Sequence, residues 1–479
     1  MPARHSHLRP GAVRGALADS LAALRDELDI PDDYPPEALA EAERAASSSA
    51  VDGSDADRAD MTDIRFHTID PPTSRDLDQA MHLERSGDGF VVHYAIADVA
   101  AFVTPGGALD QEVRRRGQTL YAPDGAVPLH PEPLSHGVAS LLPDERRRAY
   151  VWRIQLDASG AVGDVDLTRA WVRSRRKWSY DEAQREIDAG TAPDEVALLR
   201  VIGPLRIERE SARGGASLNI PEEEVVETEH GYDLIRRAPL PVEDWNAQIS
   251  LLTGMAAADL MLAAGVGILR TLPPADEESL AEFRATTRAL GRPWPDGVDY
   301  GEYLRTLDPD DSATAAVMVA ATVLFRGAGY EAFDGEPPEE TEQAAIGAPY
   351  AHTTAPLRRL VDRWSLAICE AEANGREVPQ WAADSLGELP GTMQRTGTLA
   401  SRLDSGAVDR IEAAVLTSRI GDALDAAVVA ETKAGCRVQI IDPFVTAHVP
   451  QQATAGTEVR VRVVSTDIAA GGVELELAG

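Results

Sequence analysis

The stretch "TIDPPTSRDLDQAM", residues 68–81, places three aspartates, Asp70, Asp76 and Asp78, within nine positions at the end of an apolar run. The run itself, "IRFHTID", alternates as a strand does. Pro71 and Pro72 stop it and keep residues 70–73 out of a regular helix. If the following piece is extended, Asp76 and Asp78 face the same way, and Asp70 meets them by curling across the loop. Close carboxylates resist simultaneous ionisation, so the group needs a cation. Oxygen-only ligands select a hard ion, magnesium or manganese, which keeps some waters and takes phosphate oxygens as further ligands. Two such ions about 4 Å apart clamp the attacking and leaving oxygens of a phosphoryl transfer. A solvated acidic turn is the competing reading of these residues alone. A calcium loop is not, because the EF-hand order of oxygen donors, central glycine and final glutamate is absent.

Composition sets the limits around this loop. The 479 residues suffice for two to four domains at roughly 150 residues each, and 44% apolar content supplies a sizeable core. A formal charge of −33 argues against a general nucleic-acid coat, because phosphates are repelled. Any channel for a polyanion must be narrow and built from specific arginines. Lysine occurs only at Lys177 and Lys433, a bias that high-GC coding explains. Cys369 and Cys436 are far apart and make no metal spacing, which fits a reduced, cytoplasmic protein. Residues 1–15 are basic but lack the apolar core of a secretory signal. The membrane-like run of residues 249–269 carries Asp259 in its middle, at about 3 kcal/mol on insertion scales. A buried core helix is the expectation there, with no membrane and no obligate protein partner.

Residues 14–28 have helical spacing, and the small, acidic segment 45–60 reads as a linker. From 61 to about 158 the pattern is extended, with hairpin signals at "SGDG" (86–89) and "DASG" (157–160). Helical periods then dominate through 245–270, 277–290, 313–326 and 357–372. Strands early and helices later indicate a mixed α+β unit. Short β runs after about 413 fit a small OB-type barrel or another small β unit. The expected division is 1–60, an N-terminal helical extension and linker; 61–412, the catalytic unit; and 413–479, the barrel.

Several motifs in order resemble the RNB family, the ribonuclease II and ribonuclease R exoribonucleases. The acidic loop matches three of the family's four acids as Asp70, Asp76 and Asp78; the fourth position is Gln79. Residues 94–143, the segment "ERESARGGASLNIPEEE" and "YAHTTAPLRRLVDR" (350–363) follow in the family's order, so the likeness runs from 64 to about 372. The terminal β unit stands where the family carries an RNA-binding OB barrel.

The resemblance implies a deep channel that threads single-stranded RNA 3′ end first onto a magnesium site. Asp70, Asp76 and Asp78 would hold one or two ions of magnesium or manganese, with Asp78 the acid most needed for chemistry. Arg358 matches the arginine at the scissile phosphate, where a planar fork neutralises developing charge. Tyr180 resembles a tyrosine on the terminal nucleotides, or is a half-buried residue at a helix start. Arg359 reads as a further substrate contact or as a structural ion pair with Asp362; His352 reads as packing. The arginines at 114–116, 146–148 and before Trp178 are sources of local positive charge or solvated clusters.

The departures are specific. Gln79 removes a charge from the metal site, and Ser250 and Leu251 stand where the family has paired glutamates. Ala95 replaces a histidine, and residues 1–60 leave no room for two cold-shock barrels. The expected activity is metal-dependent hydrolytic 3′-to-5′ degradation of single-stranded RNA to nucleoside 5′-monophosphates. The alternative is a weak or inactive RNA-binding relative.

Overall fold

A computed structural model describes residues 6–8, 15–31, 33–48, 58–218, 222–228, 231–308 and 312–478. Its centre is a ring of five strands. Gln79–Ser86 and Gly89–Ala97 form the first hairpin, with Ser86 opposite Gly89. Gly87 turns it at φ 58°, a conformation that tight hairpin turns demand. Arg146–Leu156 and Val162–Trp178 form the second, around an Asp157 carboxylate that accepts from the Ser159 and Ala161 amides at 2.8 and 2.9 Å. Both turns are where glycine and aspartate announced them.

Val162–Trp178 is 17 residues long, and its length closes the ring. Its first part pairs antiparallel with Arg146–Leu156, and its last residues pair in parallel with Phe66–Ile69. Phe66–Ile69 in turn borders Gln79–Ser86 through His67 and Met81. Trp152, Trp178, Phe66 and Tyr94 are fully buried, each burial contributing on the order of 1.5–3 kcal/mol. The closed ring therefore holds the end of Phe66–Ile69, where Asp70 begins, against the end of Val162–Trp178.

Helices Pro241–Ala264 and Leu360–Ala373 pack together over this ring. The first is long and apolar enough to cross a membrane, yet over half of that stretch is buried inside the protein. The expected helix 245–270 stops short. Gly265 leaves it at φ 70°, and Val266–Thr271 is a strand paired with Gly329–Asp334. A left-handed glycine ends a helix, and the β-branched residues after it suit a strand. The expected helix 357–372 begins only at Leu360, so Arg358 lies in the turn before it. Helices Glu277–Ala289 and Ser312–Ala321 lie where expected.

Near the N-terminus, Ala16–Glu27 is helical as expected, and a second helix, Pro36–Ser48, occupies the first residues of the expected linker. The linker residues 49–57 lie outside the described residues. The 29-residue helix Leu389–Thr417 crosses the expected junction at 412/413 and leads to the strand Ala423–Thr432. Five strands follow in the order 446–449, 435–440, 423–432, 458–467 and 472–478. The two outer strands touch, so the sheet is a nearly closed barrel around Val428, Val438, Val461 and Val463. The α+β unit followed by an OB-type barrel is thus the observed architecture.

Candidate active site

The acidic loop is fastened at both ends. The Asp70 amide donates to the Trp178 carbonyl at 3.1 Å. Leu77 is wholly buried; its amide donates to Ser140 Oγ at 3.0 Å, and its carbonyl accepts from the Leu141 amide at 2.9 Å. The Asp78 carbonyl accepts from the Ala97 amide at 2.9 Å. Between these anchors Lys177 Nζ donates to the carbonyls of Pro72 and Ser74, at 2.8 and 2.5 Å. Leu77 is buried between the two acids, with Asp76 half-buried on one side and Asp78 buried on the other.

The second wall is the turn before Leu360–Ala373. Asp362 Oδ1 accepts from the Ala355 amide at 2.7 Å, and its carboxylate takes Arg359 Nε and Nη2 at 2.9 Å each. Arg359 is therefore engaged as an ion pair, three residues from its acid. Its side chain also lines a cavity of about 380 Å³ with His352 and Leu251. His130 Nδ1 lies 3.1 Å from the Leu357 carbonyl and so donates to it. His352 packs, with Nδ1 at 2.7 Å from the Tyr330 hydroxyl.

The two walls meet at Asp78. Its Oδ1 accepts from the Leu357 amide and its Oδ2 from Arg358 Nε, both at 2.7 Å. Asp78 is 1% exposed, whereas 36% of the Arg358 side chain stays open. Burial pushes the Asp78 carboxyl up to about 7, against the pull of Arg358 and the Leu357 amide. Burial likewise pushes Asp70 up to about 6, opposed by Arg358 and Lys177 and aided by the charge of Asp76. The three acids, Arg358 and Lys177 thus form one electrostatic unit.

Tyr180 is the first residue of the helix Tyr180–Asp188, half-buried behind a Ser179 capping box. It stands in the field of Asp70, beside Asn246. Ser250 Oγ lies 2.9 Å from Thr354 Oγ1, beside Tyr94. Gln79 Nε2 donates to the Thr354 carbonyl at 2.5 Å, which leaves only a neutral oxygen at that position.

Two residues escaped the sequence reading as members of the site. Tyr121 stands beside Arg358, within the field of Asp76 and Asp78, and is 47% exposed. Lys177 was read only as part of a basic run; its rarity in this chain was the available signal. The other arginine clusters are structural. Arg114 pairs with Asp110, Arg115 and Arg116 with Glu112, and Arg146 and Arg148 lie over the Trp171 ring.

Among the described residues, no group of three or more His, Cys, Asp or Glu side chains stands assembled to hold a metal. The donor chemistry nevertheless fits a hard cation. Asp70 and Asp76 have no ion-pair partner within 4.0 Å among the described residues, and three carboxylates share two nearby cations.

Comparison with known proteins gives the family and the fold. Residues 58–368 match the RNB domain and 422–478 the RNase II-type exonuclease C-terminal S1 domain. Ribonuclease R of Aquifex aeolicus is 26% identical over 82% of this chain and 57% of its own length. Ribonuclease R of Mycoplasma pneumoniae is 33% identical over 37% of this chain and 26% of its own. The chain thus matches between a quarter and a little over half the length of these relatives. The Mycoplasma genitalium RNase R structure with ribose-methylated single-stranded RNA superposes with a TM-score of 0.83 at 20% identity, over 97% of this chain and 78% of that one. Yeast Ssd1, a pseudonuclease, superposes at 0.65 and 14% identity, over 87% and 54%. With the match covering the whole of the acidic loop, the arginine turn and the ring that joins them, the chain belongs to the RNB-domain family.

Proposed function

We propose that this chain is a metal-dependent hydrolytic exoribonuclease that degrades single-stranded RNA from the 3′ end to nucleoside 5′-monophosphates. The observation that carries this reading is the joint of Asp78 with Arg358 beside Asp70 and Asp76, with Tyr121 open at its edge. Asp78 takes Arg358 by Nε, and no other carboxylate pairs with that guanidinium among the described residues. The fork is therefore aimed from a buried anchor toward the open side, where it can meet a phosphate. Tyr121 offers an aromatic face next to it, a sequence-tolerant platform worth about 1–3 kcal/mol per stacked base. Lys177 holds the loop between Asp70 and Asp76 by two carbonyls, so these acids keep their spacing as RNA enters. Magnesium or manganese, held by Asp70 and Asp76 with Asp78 beside them, would supply Lewis-acid stabilisation of the transferred phosphoryl group.

A second reading, an RNA-binding relative without turnover, draws on Gln79. Its amide is committed to Thr354, and the position brings no charge to the cation site. RNA labelled at either end, incubated with magnesium, manganese or chelator, separates the two. Stepwise mononucleotide release that chelator stops supports hydrolysis. Retention of intact RNA under every condition sinks it and leaves the binding reading.

A further inference from the structure

A cavity of about 890 Å³ lies outside the acidic cleft, between the start of the strand Val162–Trp178, the helix Leu199–Ala212 and the C-terminal half of the helix Pro241–Ala264. Arg206, Arg209 and Arg213 line it from one helical face. None of the three has a carboxylate partner within 4.0 Å among the described residues, although the chain carries 79 acids against 46 bases. Their hydrogen bonds go to uncharged groups: Arg206 Nη1 to the Gly160 carbonyl at 2.7 Å, Arg209 to Ser159, and Arg213 Nε to the Ile346 carbonyl at 3.2 Å. Arg206 is 3% exposed and its Nε meets no acceptor. The nearest acid of the helix, Glu210, is held by Ser217 and by Gln248.

Arg206 stands in the field of Arg213 and Arg209, and Arg213 in that of Arg209, while Glu210 draws on both Arg206 and Arg213 and outweighs Arg209 at Arg213. Burial, then Arg213 and Arg209, pull Arg206 down to about 10. A helix C-terminus welcomes positive charge, but its dipole amounts to only about half an elementary charge, and together with Glu210 it leaves the three guanidiniums about half compensated. The remainder calls for an anion. Two carboxylates complete the charged lining, Asp164 and, on the second helix, Asp259, both exposed and without an ion-pair partner among the described residues. A bare phosphate would leave Asp259 unused. A ligand with a phosphate at one end and hydroxyl or N–H donors at the other uses both. A concave site of this volume holds one small molecule, and the acidic surface around it disfavours a long polyanion.

We propose that this cavity is a second ligand site that takes a nucleoside monophosphate, its phosphate on Arg209 and Arg213 and its sugar or base donors toward Asp259. The site does not depend on the hydrolytic reading, since none of its residues belongs to the acidic cleft.

The test is photolabelling of the full chain with 8-azidoadenosine 5′-monophosphate and peptide mapping. Label is expected within residues 159–165, 199–213 or 255–260, displaced by adenosine monophosphate but not by adenosine, and retained in Arg358→Ala. The double variant Arg209→Gln, Arg213→Gln should weaken adenosine monophosphate binding at least about tenfold; Asp259→Asn, which leaves both arginines in place, should weaken it less. Label confined to peptides around Asp70, Asp78, Tyr121 or Tyr180 overturns the proposal. So does inorganic phosphate displacing the label as well as the nucleotide does, or a short oligoadenylate protecting these peptides where the mononucleotide fails.

Discussion

Asp98 and Asp78 are both fully buried aspartates at the ends of the same hairpin, and their surroundings differ by one cation. Asp98 is 0% exposed, with Arg58 Nη2 at 2.6 Å and Arg169 Nη2 at 2.7 Å on one oxygen. Its other oxygen accepts from the Ala101 amide at 3.1 Å and caps a short 3₁₀ turn. Burial works to raise its pKa, but Arg169 and Arg58 hold the carboxyl below its usual range. Asp78 has one guanidinium and one amide, and its carboxyl is pushed up to about 7. A buried ion needs compensation worth several kcal/mol. Asp98 has a surplus of it and is a structural joint. Asp78 shares Arg358 with Asp70 and Asp76, and the deficit is what a divalent ion would fill.

The same substitution at the two sites breaks or sharpens this contrast. Asp98→Asn strands two guanidiniums and is expected to lower stability by about 3–5 kcal/mol, read by denaturant unfolding; an unchanged midpoint would make the centre dispensable. Asp78→Asn removes a carboxyl that burial already disfavours, from a partner that is one-third open. The expected outcome is a thermal midpoint close to the parent's and RNA still bound, with turnover down about 10³-fold, or about 4 kcal/mol of barrier. Parent-like turnover in that variant would falsify the placement of the chemistry.

The support beneath Asp78 has its own signature. His130 is 2% exposed, and burial holds it down to about 4 while it donates to Leu357, whose amide serves Asp78. Below its unfolded pKa near 6.5 the unfolded chain takes up a proton that the folded chain refuses. Its contribution is therefore complete above about pH 6.5 and is lost as pH falls toward 4, by roughly 2–3 kcal/mol. His130→Gln should flatten that part of the stability profile; parallel profiles for the two proteins would remove His130 from the account. The smallest effect concerns Gln79. Gln79→Asp adds a charge where cations are short and should shift the magnesium midpoint of turnover several-fold lower, toward about tenfold. Superimposable titrations would place residue 79 outside the ion's reach.

Much of the frame was legible in residue order. Gly87 and Asp157 mark hairpin turns by local chemistry, and Leu77 between two acids marks a buried pivot, because period-two alternation and turn preference act over a few residues. The helix through residue 270 was misjudged, since an apolar run does not distinguish a helix from the strand that follows Gly265. Tyr121 was missed because its role is defined only by Arg358, which lies far along the chain.

What the amino-acid order determined alone is which groups are carried together: three acids on one loop, two adjacent arginines in one late segment, a run of short strands at the end. Only the tertiary structure decided what those groups mean. Asp78 meets Arg358 across 280 residues, Asp98 meets Arg58 and Arg169 from distant parts of the chain, and three arginines line a cavity with no carboxylate within 4.0 Å of them among the described residues. The reason is physical: a charge takes its energy from the solvent it has lost and the partners it has gained, and both are set by folding.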